Sequence, residues 1–343
     1  MHALPLAFLA LVLALPAEAQ VYRVYVAAEA DDTVSLIRFD QNGASVEKTL
    51  SVGTIPTEVE GPHGLTVSPD GRFWYLSLAH GQPYGKVVKY ATGTDHRLGE
   101  VELDLFPASM HISRATGLLY VVNFNLHGNM EPSTVSIVDP VAMTEVGRTI
   151  TGVMPHGSRL SPDGLRHYSA TMMTGELIEI DAVSFEVRRR LRTGDGDVKP
   201  SWVTPHPIEP LVYVANNGND EVVEIDLDTW TIARRFSLPG APYNLEVTPE
   251  GRLLVASLKK SGETGIVDLA TGGIQARICN SRSVTHGVAV SPDGRYAFVS
   301  VEGIGAEPGS VDVIDLNELR LVAVVETGRQ AGGIAFWTMS KAD

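Results

Sequence analysis

Short apolar runs rich in Val, Ile, Leu, Tyr and Thr recur along the chain, each broken within about ten residues by Gly, Pro, Asp or Asn. That is strand-and-turn chemistry, not a helical period. Around the first clear turn the pattern predicts four strands, named A to D: Gly64 to Ser68, Phe73 to Leu78, Lys86 to Tyr90 and Gly99 to Leu103. The turn between A and B is Ser-Pro-Asp-Gly, and it returns at Ser161 to Gly164 and Ser291 to Gly294. A His-Gly pair precedes each copy, at His63, His156 and His286. Degenerate copies lie at Ala108 to Asn123, Lys199 to Asn216 and Tyr243 to Ser257. A self-similar period of roughly 40 to 47 residues made of strands predicts propeller blades.

The two ends of the chain complete the ring. Gly332 to Phe336 matches strand A with no strand B after it, while Tyr22 to Glu29, Thr33 to Asp40 and Ser45 to Val52 match B, C and D with no A before them. Together they make a seventh blade, and closure removes the open sheet edges that invite aggregation. The expected fold is an all-β, seven-bladed propeller of four-stranded blades spanning residues 20–343 as one domain. Asp at the end of strand C, as at Asp139, Asp181, Asp226, Asp268 and Asp315, is expected to cap the C to D turn through its carboxylate.

Composition adds limits. A net charge of −14 opposes nucleic acid as a partner, which requires a basic face. Leu4 to Pro16 is apolar, is followed by Ala17-Glu18-Ala19, and is too short to span a bilayer. Residues 1–19 therefore read as a signal peptide, with a periplasmic or secreted product and no membrane span after cleavage. The single Cys279 excludes an internal disulfide. Haem c attachment is not expected, since no Cys-x-x-Cys-His occurs.

The Ser-Pro-Asp-Gly turns, the strands Tyr120-Val-Val-Asn123 and Tyr213-Val-Ala-Asn216, and the Val-x-Ile-Asp strand ends resemble the YVTN-repeat seven-bladed propellers. The resemblance implies the fold over nearly the whole chain. For function it implies only a range, because such propellers include surface proteins, haem-d1 binders, lactonases and lyases.

In a blade, the start of strand A and the B to C loop share one face of the ring, here the top. His63, His156 and His286 fall at strand A starts, His111 about three positions deeper in another strand A, and His80 and His127 at B to C loops. Met172 and Met173 end a strand B, and imidazole with thioether suits copper. His63, His111 and His156 come from consecutive blades and are the expected metal ligands, with His127, Met172 or Met173 in support. His80, His286, Arg159, Trp202, Tyr243, Glu246 and Glu302 are expected near the same mouth, binding substrate or orienting ligands. A His before Gly could instead simply bond a neighbouring blade's backbone.

Three functions follow as expectations. The first is a copper site with a redox or metal-handling role. The second is a lactonase- or lyase-type enzyme with a His general base near Glu246 or Glu302. The third is a scaffold whose top face binds a protein, cofactor or small molecule.

Overall fold

A computed structural model describes residues 20–81 and 85–342; the expected signal peptide lies outside the described residues. Seven four-stranded antiparallel sheets form the ring, and no α-helix occurs among the described residues. Ala331–Lys341 is the innermost strand of blade 1 and pairs antiparallel with Gln20–Ala28, which joins the chain ends as the pattern predicts. The remaining A strands are Pro62–Val67, Pro107–Ile112, Pro155–Leu160, Pro200–Pro205, Pro242–Val247 and Thr285–Val290, in blades 2 to 7. Apolar side chains of strands B and C pack between adjacent blades, as where Tyr25, Leu36, Trp74 and Leu76 meet across blades 1 and 2.

Each predicted strand C Asp caps its turn. Asp139 Oδ1 accepts the N–H of Val141, Asp181 Oδ1 those of Val183 and Ser184, and Asp226, Asp268 and Asp315 repeat the bond.

Two features of strand A aim the channel side chains. Strand A begins just after a left-handed residue: Gly61, Phe106, Met154, Lys199, Ala241, Val284 and Gln330, all with φ between 46° and 67°. The carbonyl of each accepts the N–H of the residue just after strand B, from Ala79 to Gly61 at 2.9 Å round to Glu29 to Gln330 at 3.1 Å. Next comes a β-bulge. In blade 2, Pro62 faces Leu78 but Leu65 faces Leu76, so strand A carries one residue more than its partner. The same shift recurs in blades 3 to 7. An extra residue reverses the alternation of faces. The channel is therefore lined at positions three apart, such as His63 and Thr66, rather than two.

Gly64 shows why a Gly follows the histidine. A Cβ there would sit 1.8 Å from the Ala108 carbonyl oxygen of the next blade. Its N–H donates to Ser77 Oγ at 2.7 Å, and the N–H groups of Asn244 and Gly287 donate likewise to Ser257 and Ser300.

His167, in strand B of blade 4, is fully buried, stacks on Tyr120 at 5.1 Å, and has no hydrogen-bond partner on either ring nitrogen among the described residues. Burial pushes its pKa down to about 3. The unfolded chain takes up this proton near pH 6.5 and the folded chain does not, so stability falls as pH drops across that window. We expect His167→Phe to gain on the wild type below pH 6.5 by up to about 1.4 kcal/mol per pH unit in urea unfolding. Identical pH slopes for the two proteins would contradict this burial.

Candidate functional site at the top of the channel

The strand A starts form an upper ring: His63, Ala108, His156, Ser201, Tyr243, His286 and Gly332. A second ring, of residues just after strand B, stands beside it and includes Glu29, Lys259 and Glu302. The left-handed residues bring in Phe106 and Gln330.

Glu29 is the hub. It is 7% exposed, and its two oxygens are bonded separately by His63 Nδ1 and His80 Nε2, each at 2.6 Å. Gln330 Nε2 donates to Oε1 at 3.3 Å. Burial pushes the Glu29 pKa up, but the imidazoles of His63 and His80 outweigh it and hold the carboxyl well below its usual range. His80 Nδ1 in turn meets His127 Nε2 at 2.9 Å. With Nε2 of His80 donating to the carboxylate, His127 donates to His80, and a chain of three groups runs from the buried carboxylate outward. Its outer end borders a surface groove of about 410 Å³ that includes Asn125 and Glu131. Phe106 packs edge-on against His63, His80 and His127 and keeps their rings in place.

His156 is held in one tautomer. Its Nδ1–H donates to the Ser201 carbonyl at 3.0 Å, so Nε2 accepts from the Tyr243 hydroxyl at 2.8 Å. Burial, reinforced by His63, pushes its pKa down to about 3. Burial and then Lys259 hold His286 well below its usual value. Lys259 lies over the Tyr243 ring at 4.2 Å and pairs with Glu302 at 2.9 Å, while Glu302 stands 3.8 Å from His286 Nε2. Burial works against the ammonium, but Tyr243, Glu302 and Glu29 overcome it and raise the pKa of Lys259.

Beneath the imidazoles of His63, His156 and His286 lies a small chamber of about 40 Å³. Three of its lining groups, Trp202 Nε1, Asn244 Oδ1 and His286 Nδ1, are buried without a hydrogen-bond partner among the described residues. A chamber of that size with three such atoms suits bound water.

The structure thus brings together His63, His80, His127, His156, His286, Tyr243 and Glu302. It does not bring His111 to them. That histidine belongs to a lower ring, with Arg159 and Glu246, about two pleat steps or roughly 7 Å further down the channel. The expected trio of His63, His111 and His156 is therefore split, because the bulge separates the two levels. Arg159 and Glu246 likewise line the lower cavity and not the mouth, while Trp202 sits between the levels with Arg159 stacked on it at 4.7 Å. Met172 packs with Met154 against Phe106 and Phe124, and Met173 is exposed, so neither thioether faces the histidines. Among the described residues, no group of three or more His, Cys, Asp or Glu side chains is arranged to hold a metal ion.

Glu29 and Lys259 were not among the expected site residues. The signal was present: both occupy the repeat position of Glu302, directly after strand B.

Residues 119–342 match the YNCE-like beta-propeller family. The chain belongs to that family. No curated protein matches it. Among solved structures, this YNCE-like propeller is similar to Kuenenia stuttgartiensis hydrazine synthase, with 22% identity over 84% of this chain and 99% of that one and a TM-score of 0.68. It is also similar to the Pseudomonas aeruginosa periplasmic gluconolactonase PpgL, at 16% identity, 93% and 99% coverage and a TM-score of 0.75. A putative 6-phosphogluconolactonase from Bacteroides uniformis gives 15% identity, 92% and 99% coverage and a TM-score of 0.70. At such identities the likeness shows the fold alone.

Tyr243→Phe in this YNCE-like propeller would leave His156 Nε2 buried without its donor. We expect a loss of about 1–2 kcal/mol in urea unfolding; unchanged stability would mean that the phenol does not satisfy the imidazole.

Proposed function

We propose that the top of the channel is an acid–base site and that this propeller hydrolyses a small cyclic ester, a lactone. The observation that carries this reading is the buried Glu29 carboxylate shared by His63 Nδ1 and His80 Nε2. A carboxylate on Nδ1 orients an imidazole and leaves Nε2 as the base, and it balances the imidazolium formed when a proton arrives. Two of the similar structures, a gluconolactonase and a putative 6-phosphogluconolactonase, point to the same reaction class.

In the proposed reaction His63 Nε2 takes a proton from water as the water oxygen bonds to the lactone carbonyl carbon. The Lys259 ammonium favours the negative charge that develops on the carbonyl oxygen. The ring C–O bond then breaks, and the proton returns from His63 to the departing ring oxygen. The product is a hydroxy acid, whose carboxyl proton leaves through His80 and His127 to the solvent. Export of the chain, supported by the apolar run Leu4 to Pro16 ahead of Ala17-Glu18-Ala19, would place this activity in the periplasm or outside the cell.

Copper is the second reading. The imidazole centroids of His156 and His286 lie 6.1 and 5.6 Å from that of His63, and a carboxylate behind a histidine is a common support for a metal ligand. It requires His156 Nε2 to leave Tyr243. Binding of a protein or cofactor at the top face has no specific observation in its favour.

Glucono-δ-lactone opening, followed by proton release at constant pH, tests the first reading. We expect catalysis to survive chelation by EDTA and to fall about 100-fold or more in Glu29→Gln. No acceleration over the uncatalysed opening across a panel of five- and six-membered lactones would overturn it. Stoichiometric copper in protein expressed with the metal, lost in the His63→Ala, His156→Ala double variant, would favour the second.

A further inference from the structure

The lower half of the channel is a separate, larger space. It is a cavity of about 590 Å³ that opens at the face of the A to B turns. Its volume lies in the range of small-molecule sites. Its polar groups come from the lower ring, three residues below the upper one on each strand A: Thr66, His111, Arg159, Thr204 and Glu246, while Ala289 and Ala335 leave the side of blades 7 and 1 open.

The chemistry of this ring is lopsided toward donors. Leu160 N–H donates to His111 Nδ1 at 3.1 Å, so the neutral ring carries its proton on Nε2 as a donor. Burial, with Arg159 and Arg114 nearby, pushes the His111 pKa down to about 3, which keeps the ring in that form at neutral pH. Arg159 lies on the Trp202 face, donates to the Ser158 carbonyl, and reaches Glu246 only at 3.5 Å. Arg114, on the exposed turn at the cavity rim, has no ion-pair partner among the described residues. A chain with net charge −14 thus places two guanidiniums and an imidazole N–H around one cavity, with one carboxylate to oppose them. Val67, Ile112, Val288, Ile334 and Phe336 border the cavity but pack their side chains into the cores between blades, so the lining is more polar than apolar.

We propose that this lower cavity binds a small organic carboxylate, its charged end between Arg159, Arg114 and His111 Nε2–H. Guanidinium matches carboxylate in a two-point fork, and a cavity of about 590 Å³ leaves room for an organic body behind the charged end. Glu246 is the internal competitor for Arg159. Burial in the channel, only partly offset by Arg159, raises the pKa of this carboxyl, as expected for a carboxylate held by one long contact. The site does not depend on the acid–base reading of the upper ring, since the two share no charged group.

Titration calorimetry with hexanoate and hexanamide tests the assignment. Hexanoate is expected to bind, hexanamide at least about tenfold more weakly, and Arg159→Gln or Arg114→Gln to weaken hexanoate by about tenfold or more. Glu246→Gln should bind hexanoate more tightly than the wild type, a result that loss of folding cannot imitate. Arg114→Gln, on an exposed turn, keeps the test open should Arg159→Gln fail to fold. Hexanamide binding as well as hexanoate, indifference to both arginine variants, or no binding by the wild type would each overturn the proposal.

Discussion

The extra residue in strand A is the constraint on which the rest of this molecule depends. In a regular strand the channel would receive every second side chain, and one run of lining residues would extend from top to bottom. The bulge and the left-handed residue ahead of it break that run into two levels. Six of the seven left-handed positions are not Gly, Val284 among them, so the backbone holds an unfavourable conformation round the ring. Seven backbone hydrogen bonds from the residues after strand B hold it there. The same bonds set Glu29, Lys259 and Glu302 beside the histidines.

Two levels with different chemistry result. The upper level joins a buried carboxylate to imidazoles from other blades, and most of its groups are charge-neutral or paired: His156 is fixed by Ser201 and Tyr243, and Lys259 by Glu302. The lower level holds charges that are poorly matched, with Arg159 stacked on Trp202 and only loosely joined to Glu246. Satisfied networks make a rigid, oriented site, whereas loose charges in a roomy cavity invite a ligand. The chamber between them, with its three unpartnered polar atoms, is bordered by both levels, by His63, His156 and His286 above and Arg159 below.

The fold was legible because its signals are local. Ser-Pro-Asp-Gly turns, strand C Asp caps and the split blade at the chain ends each need only nearby residues, and the structure reproduces them. The candidate site was half legible. Strand starts and B to C loops do share a face, which is why His63, His80, His127, His156 and His286 meet. His111, Arg159 and Glu246 were placed at the wrong level because an unseen bulge changes which residues face the axis. Met172 was read as a ligand when its packing against Phe106 and Phe124 was the stronger demand. Glu29 was overlooked because its repeat position is disguised in blade 1, the one blade assembled from both ends of the chain.

What the amino-acid order determined by itself is the repeat, its closure into seven blades, and a histidine-bearing face, since each rests on short-range turn and strand preferences. Which histidines touch, and that Glu29 rather than Glu246 stands behind them, was decided only by the closed ring. Those contacts join residues such as Glu29 and Gln330, hundreds of positions apart, and they depend on a bulge whose bonds come from a neighbouring strand.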